Sequence, residues 1–276
     1  MAIKLGTVAA IGFPEFPPAP WLACFRQLGC TVVQAYRNAN LQISVQQMRD
    51  AIAAGGMPCD SLHGIFGETF DPSCPQEPAR RFAVDTYKAE GDLALALGGS
   101  LVVVHCSTVR KEGVGTAERG LRLRQLRKSI AELGDHGRRI GVRYAFENLP
   151  QYHPVGSDVA ELAGILAELG APNTGMCFDS GHANMVGDPA AAVRRTAGQM
   201  IYVHLSDNSG QADEHEMLTY GSIDHLELAR ALHEAAYSGT MMLEVFYPIE
   251  RLKQVVADGC AQRLSRIVAL AEGRDQ

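Results

Sequence analysis

The chain has 276 residues, and 46% of them are hydrophobic. This composition supplies a large core and excludes an intrinsically disordered protein. The formal net charge of -6 argues against a nucleic-acid-binding surface, which normally carries an excess of Lys and Arg. The seven cysteines are scattered and form no C-x-x-C pair, so they resemble neither a disulfide framework nor a zinc finger.

The N-terminal segment contains a short apolar run that Gly and Pro interrupt. It is too short and too interrupted for a signal peptide, and no run approaches the ~18 apolar residues of a membrane span. We therefore expect a reduced, cytoplasmic protein that does not associate with a membrane.

Short apolar runs, each followed by a longer segment with helical periodicity, recur along the chain. They predict eight strands, over residues 4–10, 31–36, 58–63, 101–105, 142–147, 174–179, 201–205 and 241–246. The first residues of successive strands are about 27 to 43 residues apart, which is the spacing of strand–loop–helix–loop units. Runs such as 101–105 are apolar throughout, as expected for parallel strands covered on both faces.

The segments between the predicted strands have the apolar periodicity of amphipathic helices. A helix over 80–97 ends before Gly98, a natural C-cap. A second helix, over 121–133, is expected to stop at Gly134. A single last helix over 251–270 closes the chain.

Eight strand–helix units in a chain of this length predict an α/β fold, a (β/α)8 TIM barrel with residues 1–276 in a single domain. A doubly wound open sheet is the main alternative. It is disfavoured because no G-x-G-x-x-G motif or P-loop follows the first strand. Residues 66–76 and 206–221 are predicted loops and candidates for the active-site region.

Metal-binding residue types stand at the ends of six predicted strands. In chain order they are His63, His105, Glu147, Asp179, His204 and Glu244. In a barrel these ends share one rim, where the active site is built. Each residue alone could be a hydrogen-bonded core residue or part of an ion pair. Six such residues at equivalent strand ends are improbable as a coincidence. Because buried carboxylates repel one another unless a cation lies between them, we predict a bound divalent metal ion.

Further polar residues follow the predicted strands. His182 lies three residues after Asp179 at a strand-to-helix turn, so both side chains can point into the same mouth. Asp213 and His215 are two residues apart and can face one side of an extended loop, although a solvated acidic loop explains them equally well.

Other residues have more ordinary interpretations. We expect Phe66 and Glu68 to line the pocket, whereas packing of the first helix is favoured for Trp21. Asn148 is expected to support the site from behind. The remaining histidines are interpreted as surface or packing residues: His136, His153, His225 and His233.

The motifs taken together resemble those of the xylose isomerase-like TIM-barrel superfamily. The chain has FEN at 146–148, FDSGH at 178–182, H-x-x-D-N at 204–208, D-x-H at 213–215 and G-S-I-D at 221–224. This superfamily includes sugar (phosphate) isomerases and epimerases, inosose-processing enzymes and the endonuclease IV group. The resemblance spans the third to the eighth predicted strand, and its motifs are specific to the superfamily but not to one activity within it.

The resemblance implies a central metal ion and its ligands, which are Glu147, Asp179, His204 and Glu244. Carboxylates mixed with imidazole suit Mn, Mg, Co or Zn. In the isomerase and epimerase branch, the resemblance implies that His182 contacts substrate. In the endonuclease branch it implies a cluster of zinc ions completed by His63, His105, His182, Asp213 and His215.

The leading hypothesis is a metal-dependent isomerase or epimerase that acts on a small sugar, sugar phosphate or inosose. Such an enzyme removes a proton next to a carbonyl and generates an enediolate, which a divalent cation stabilises. We assign the proton transfer to Glu147 and Glu244, and the orientation of a hydroxyl to His182. The expected partner is a small polyhydroxy carbonyl substrate, with no nucleic acid; a homo-oligomer is compatible with the sequence.

Two alternatives stay open: a multi-zinc, endonuclease IV-like phosphodiesterase and a non-catalytic metal-containing binding barrel. The first is disfavoured because no Lys or Arg occurs between Leu205 and Leu228, where a DNA backbone needs cations. His105 is also followed by Cys-Ser where the nuclease has H-P-G, and Tyr220 replaces the Glu of G-E-G-x-I. The sequence also departs from the isomerase pattern. Many ketose epimerases carry an arginine after the histidine of strand seven, and this loop has none.

Overall fold

Eight parallel strands close into a barrel in the computed structural model, which describes residues 3–274. The strands are β1 (Lys4–Ile11), β2 (Val32–Arg37), β3 (Cys59–His63), β4 (Leu101–His105), β5 (Arg143–Glu147), β6 (Thr174–Asp179), β7 (Met200–Leu205) and β8 (Thr240–Leu243). Each strand pairs with its neighbours in chain order, and β8 closes the barrel against β1. The predicted (β/α)8 barrel is confirmed. The predicted domain of residues 1–276 includes 1, 2, 275 and 276, which lie outside the described residues.

Helices connect the strands around the outside of the barrel. They are α1 (Pro18–Gln27), α2 (Val45–Gly55), α3 (Glu77–Leu97), α4 (Thr116–Ile140), α5 (Val159–Leu169), α6 (Ser180–Asn184), α7 (Pro189–Thr196), α8 (His225–Glu234), α9 (Ile249–Ala257) and α10 (Cys260–Ala271). Short 3-10 turns occur at Glu68–Phe70 and Ala197–Gln199. Within residues 3–274, no helix has the length and apolar character that crossing a membrane requires.

Local sequence signals explain where several helices begin and end. The Asp158 side chain accepts hydrogen bonds from the backbone N–H groups of the first turn of α5, and Asp224 does the same for α8. Gly98 follows α3 in the left-handed conformation, with φ of 93°, as its predicted role as a C-cap requires. These caps fix the direction in which each connecting loop reaches the rim.

The prediction that the helix beginning at residue 121 stops at Gly134 was wrong, because α4 (Thr116–Ile140) continues to Ile140. Glycine is used inside this helix for close packing. A Cβ at Gly134 would lie 2.6 Å from the Pro172 carbonyl oxygen, and a Cβ at Gly137 would lie 2.4 Å from the Val142 carbonyl oxygen. The helix ends where Gly141 adopts φ of 80°.

Two further boundaries near the C-terminus differ from the prediction. The predicted last helix over 251–270 is two helices, α9 and α10, separated by Gly259 with φ of 72°. The predicted strand over 241–246 is the shorter β8, because its register with β1 ends at the Thr7–Leu243 pair. Glu244 therefore lies just beyond β8, although its N–H still donates to the Leu205 carbonyl oxygen (2.9 Å).

Strand alternation places the polar strand ends inside the barrel. Side chains two residues apart on a strand share a face. Two positions before His105, Glu147, Asp179, His204 and Glu244 lie residues that are buried against one another, and they are Val103, Ala145, Cys177, Tyr202 and Met242. The polar residue at each strand end continues the same inward face. In the strand register His105 is level with Glu147, and Asp179 is level with His204.

Candidate active site

A cavity of about 410 Å³ opens at the carboxyl ends of the strands. The predicted site residues that line it are His63, His105, Glu147, His182, Asp213, His215 and Glu244. The other two predicted site residues, Asp179 and His204, are fully buried. The structure thus brings all nine predicted site residues to one rim.

Three carboxylates surround one imidazole nitrogen at the centre of this group. Nδ1 of His204 lies 2.9 Å from Glu147 Oε1, 3.0 Å from Glu244 Oε2 and 3.9 Å from Asp179 Oδ2. One ligand atom from each of the four residues can be chosen so that all four atoms lie within 4.8 Å of one another. Asp179 Oδ2 is buried and has no hydrogen-bond partner among the described residues. A buried carboxylate oxygen without a partner, next to two further carboxylates, fits a cation site.

The electrostatics of these side chains show the same need for positive charge. Burial, with Glu147 and Glu244 nearby, raises the pKa of Asp179 to about 6. Burial also opposes ionisation of Glu244, but the His204 imidazole outweighs burial and lowers the pKa of Glu244 to about 2. Burial disfavours the charged imidazole of His204, yet the surrounding groups, both glutamates among them, hold its pKa well above the usual value. Three buried carboxylates around one imidazole therefore form a group that could hold a divalent ion.

A second group of donors shares Glu147 with the first. His105 Nε2 lies 3.1 Å from Glu147 Oε2, and His63 Nε2 lies 3.7 Å from the same oxygen. His63 Nδ1 donates to the Gly64 carbonyl oxygen (2.9 Å), which leaves Nε2 as the acceptor facing the cavity. His63, His105 and Glu147 form a second combination that could hold a metal ion.

The third group lies on α6 and on the loop after β7. His182 Nε2 and His215 Nε2 lie 3.2 Å and 3.4 Å from the same oxygen, Asp213 Oδ2. Their Nδ1 atoms contact the carbonyl oxygens of Asn148 (2.8 Å) and Glu244 (3.0 Å). Backbone carbonyls in this position orient an imidazole and fix its tautomer, as they do for histidines that bind metals. Asp213 and His215 therefore contact His182 at the cavity, and their predicted role as metal or substrate ligands stays a prediction.

Asn148 supports the centre from behind. Its Nδ2 donates to the Asp179 carbonyl oxygen (3.0 Å), and its Oδ1 accepts from the Asp179 N–H (2.8 Å). With the His182 contact to its own carbonyl, Asn148 connects the ends of β5 and β6. It is fully buried, so these bonds are not exchanged with solvent.

Other residues around the rim can be compared with their sequence interpretation. His153 packs between two loops, in keeping with that interpretation, and it also lines the cavity, which the sequence did not indicate. Its Nδ1 donates to the Val109 carbonyl oxygen (2.9 Å), a contact between two loops that no periodic pattern predicts. Trp21 packs in the core as expected, and its indole N–H donates to the Tyr247 carbonyl oxygen (2.9 Å). Phe66 and Glu68 line the cavity as expected.

Arg110 and Tyr152 also line the cavity, and sequence reasoning missed both. They lie on the loops after β4 and β5, and the only available signal was their position after barrel strands whose ends carry site residues. Asp207, which belongs to the H-x-x-D-N motif at 204–208, has a structural role. Its carboxylate accepts the N–H groups of Asn208, Thr219 and Ile223, and so folds the loop after β7.

Comparison with known proteins identifies the family. Residues 22–262 match the family described as xylose isomerase-like TIM barrel. A curated relative, uncharacterized protein MJ1311 of Methanocaldococcus jannaschii, is 27% identical over 187 residues, which cover 66% of this chain and 63% of the relative. The chain spans just under two thirds of the length of the curated relatives it matches.

Solved structures show the same fold over nearly the whole chain. A D-tagatose 3-epimerase-like protein superposes with a TM-score of 0.75 and 20% identity, covering 97% of this chain and 100% of that one. The 3-keto-D-glucoside 4-epimerase of E. coli superposes with a TM-score of 0.76 and 16% identity, covering 94% and 99%. At these identities the likeness establishes the fold.

Proposed function

The chain belongs to the xylose isomerase-like TIM barrel family, and from that premise we propose that it is a divalent-metal-dependent isomerase or epimerase of a small sugar, sugar phosphate or inosose. One observation carries this proposal. The carboxylates of Glu147 and Glu244 both lie beside His204 Nδ1, at 2.9 Å and 3.0 Å, and both residues line the cavity. The epimerases among the solved structures with this fold support the same reaction class.

The donor set fits a resident divalent ion. Glu147, Asp179, His204 and Glu244 would hold it, since they provide three carboxylates and one imidazole in one buried group. Bound there, the ion would act as a Lewis acid toward the carbonyl and a neighbouring hydroxyl of the substrate.

We assign the proton transfer to the two glutamates. They come from β5 and from the residue after β8, strands that are not neighbours in the barrel. A carboxylate on each side of the substrate can take the proton from the carbon next to the carbonyl and return one to it. The positions of Glu147 and Glu244 therefore suit inversion of a stereocentre as well as transfer of a proton between adjacent carbons.

His182 is placed to orient a substrate hydroxyl. Its Nδ1 is occupied by the Asn148 carbonyl, whereas its Nε2 points toward Asp213 at the cavity wall. A hydroxyl that approaches this nitrogen would form a hydrogen bond of fixed direction.

Aromatic rings form an apolar wall on one side of the cavity. Phe66 is stacked on His105 with a ring separation of 4.5 Å, and Tyr36 packs on Phe246 at 5.4 Å. Such a wall displaces water from one face of a bound sugar and favours its apolar C–H surface. Water exclusion protects the reactive carbon from competing protonation.

Isotope exchange tests the proposed reaction. The metal-loaded protein is incubated in deuterated water with ketopentoses, ketohexoses, their phosphates and inososes. We expect deuterium at the carbon next to the carbonyl of at least one compound, and loss of exchange after removal of the metal with a chelator. Absence of exchange with every compound, in protein whose metal content has been verified, would contradict the proposal and favour a non-catalytic binding barrel.

A second candidate function, hydrolysis of a phosphodiester by several zinc ions, is favoured by one specific observation. The nine rim residues form three donor groups, which are centred on His105, His204 and Asp213. Metal stoichiometry of the purified protein separates the two functions. A single equivalent per chain supports sugar chemistry, whereas three equivalents of zinc support phosphodiester cleavage.

A further inference from the structure

The loop after β4 is tied to the loop after β5 on both sides of Arg110. The Val109 carbonyl oxygen accepts from His153 Nδ1 (2.9 Å), and the Lys111 N–H donates to the Tyr152 carbonyl oxygen (2.8 Å). The residues before and after Arg110 are therefore both held by consecutive residues of the facing loop. This arrangement fixes the backbone from which the Arg110 side chain reaches the rim of the cavity.

The guanidinium of Arg110 is positioned but not neutralised. It lies over the ring of Tyr152, 4.3 Å from the ring centre. No carboxylate of residues 3–274 forms an ion pair with it, in contrast to Arg37, which donates two hydrogen bonds to Glu90 (2.7 Å and 2.5 Å). Stacking on an aromatic ring leaves the N–H edge of a guanidinium available to a ligand.

Arg110 also contributes a permanent positive charge to the cavity. Within the described part of the chain, it is the one Lys or Arg that lines this cavity. The loop after β7 has no cation between Leu205 and Leu228, so it cannot fulfil this role. The carboxylates of the central group are buried, whereas Arg110 is exposed at the rim. The cavity thus contains two of the central carboxylates, Glu147 and Glu244, and one guanidinium at its rim.

We propose that Arg110 is a specificity-determining residue that binds an anionic group on the substrate, a phosphate monoester or a carboxylate, remote from the reacting carbonyl. A neutral polyol would leave this guanidinium without a partner. Both kinds of anion match its planar fork with two parallel hydrogen bonds. The inference rests on the proposed function only in placing the carbonyl of the substrate at the central carboxylates. It specifies the substrate class as sugar phosphates or sugar acids.

Binding of unreactive six-carbon probes tests this inference without turnover. Isothermal titration of the metal-loaded protein compares D-sorbitol, D-sorbitol 6-phosphate and D-gluconate, which share a carbon chain and lack a reactive carbonyl. We expect at least one anionic probe to bind about tenfold or more tightly than sorbitol, as a charge-assisted hydrogen bond implies. The tighter anion identifies phosphate or carboxylate as the natural group.

Variants at the rim complete the test. Arg110→Gln should abolish the advantage of the anionic probe over sorbitol, whereas Arg110→Lys should keep part of it. Lys111→Gln is the matched control, since it removes an adjacent exposed cation, and it should keep the full advantage. Circular dichroism melting verifies that each variant is folded.

Two results would overturn the inference: an anionic advantage that persists in Arg110→Gln, which places the anion on the metal, or equal binding of all three probes by the wild type. Because the probes do not react, failure of the proposed isomerase activity gives a different result from failure of this inference. A protein that binds the anion through Arg110 and exchanges no proton would contradict only the proposed reaction.

Discussion

His204 directs Nδ1 at Glu147 Oε1 from 2.9 Å, and its Nε2 is buried without a hydrogen-bond partner among the described residues. An imidazole in this position is held by packing and by the carboxylates it faces. A divalent ion bound between them would use the lone pair of Nδ1 and one oxygen of Glu147. The relation between these two residues is therefore the basis of the metal site we propose.

Replacement of His204 by Ala should reduce metal content sharply, because three carboxylates without the imidazole form a weaker site. Elemental analysis of dialysed protein measures this loss. His233→Ala is the matched control, since it removes an exposed histidine of α8, and it should keep the wild-type content. Unchanged metal in His204→Ala would contradict the assignment of the ligands.

Asn148→Ala should destabilise the protein and weaken its metal site. The change removes both side-chain hydrogen bonds to the Asp179 backbone and leaves a buried N–H and a buried carbonyl without partners. We expect a loss of about 1–3 kcal/mol in the free energy of unfolding, and metal affinity about 10–100-fold lower. Urea unfolding and metal titration measure the two effects. Wild-type values in both would show that Asn148 does not position Asp179.

Glycines inside α4 should respond in opposite directions to replacement by alanine. Gly137→Ala places a Cβ 2.4 Å from the Val142 carbonyl oxygen, so we expect destabilisation by about 1–3 kcal/mol. In Gly120→Ala the new Cβ meets only the end of the Arg124 side chain, at 3.7 Å. This control should be stabilised by roughly 0.5–1 kcal/mol, the gain in helix propensity. Equal effects of both variants in urea unfolding would contradict the packing explanation.

The sequence indicates the barrel and the rim because both depend on local periodicity. Parallel strands read as apolar runs, and the alternation of side chains carries His105, Glu147, Asp179 and His204 to the same inward face. The order of residues along the chain is therefore enough to predict these strand-end positions. Their roles in metal binding and proton transfer stay predictions.

Contacts between distant segments account for what the sequence did not predict. Gly134 is a typical helix terminator, but here it allows α4 to pass close to the loop before β6. His153 and Arg110 lie on loops, where no periodic pattern exists, and only the hydrogen bonds between those loops bring them to the cavity. Sequence spacing carries no information on such pairings.

The loop after β7 contains no Lys or Arg between Leu205 and Leu228. We expect no significant cleavage of an abasic duplex by zinc-reconstituted protein, because the net charge is -6 and this loop lacks the cations that bind a phosphate backbone. A gel-based cleavage assay measures this activity. Turnover comparable to that of a dedicated repair enzyme, abolished by Asp213→Ala, would favour the phosphodiesterase over the isomerase.

Proton exchange by two glutamine variants tests the central claim most directly. Glu147→Gln and Glu244→Gln keep the size of each side chain and one ligand oxygen but cannot accept a carbon-bound proton. With the substrate found by isotope exchange, each variant should retain metal and lose exchange by at least about 10²–10⁴-fold, mainly in kcat. If both variants retain metal and exchange the proton next to the carbonyl at the wild-type rate, neither glutamate is the base and the proposed mechanism is wrong.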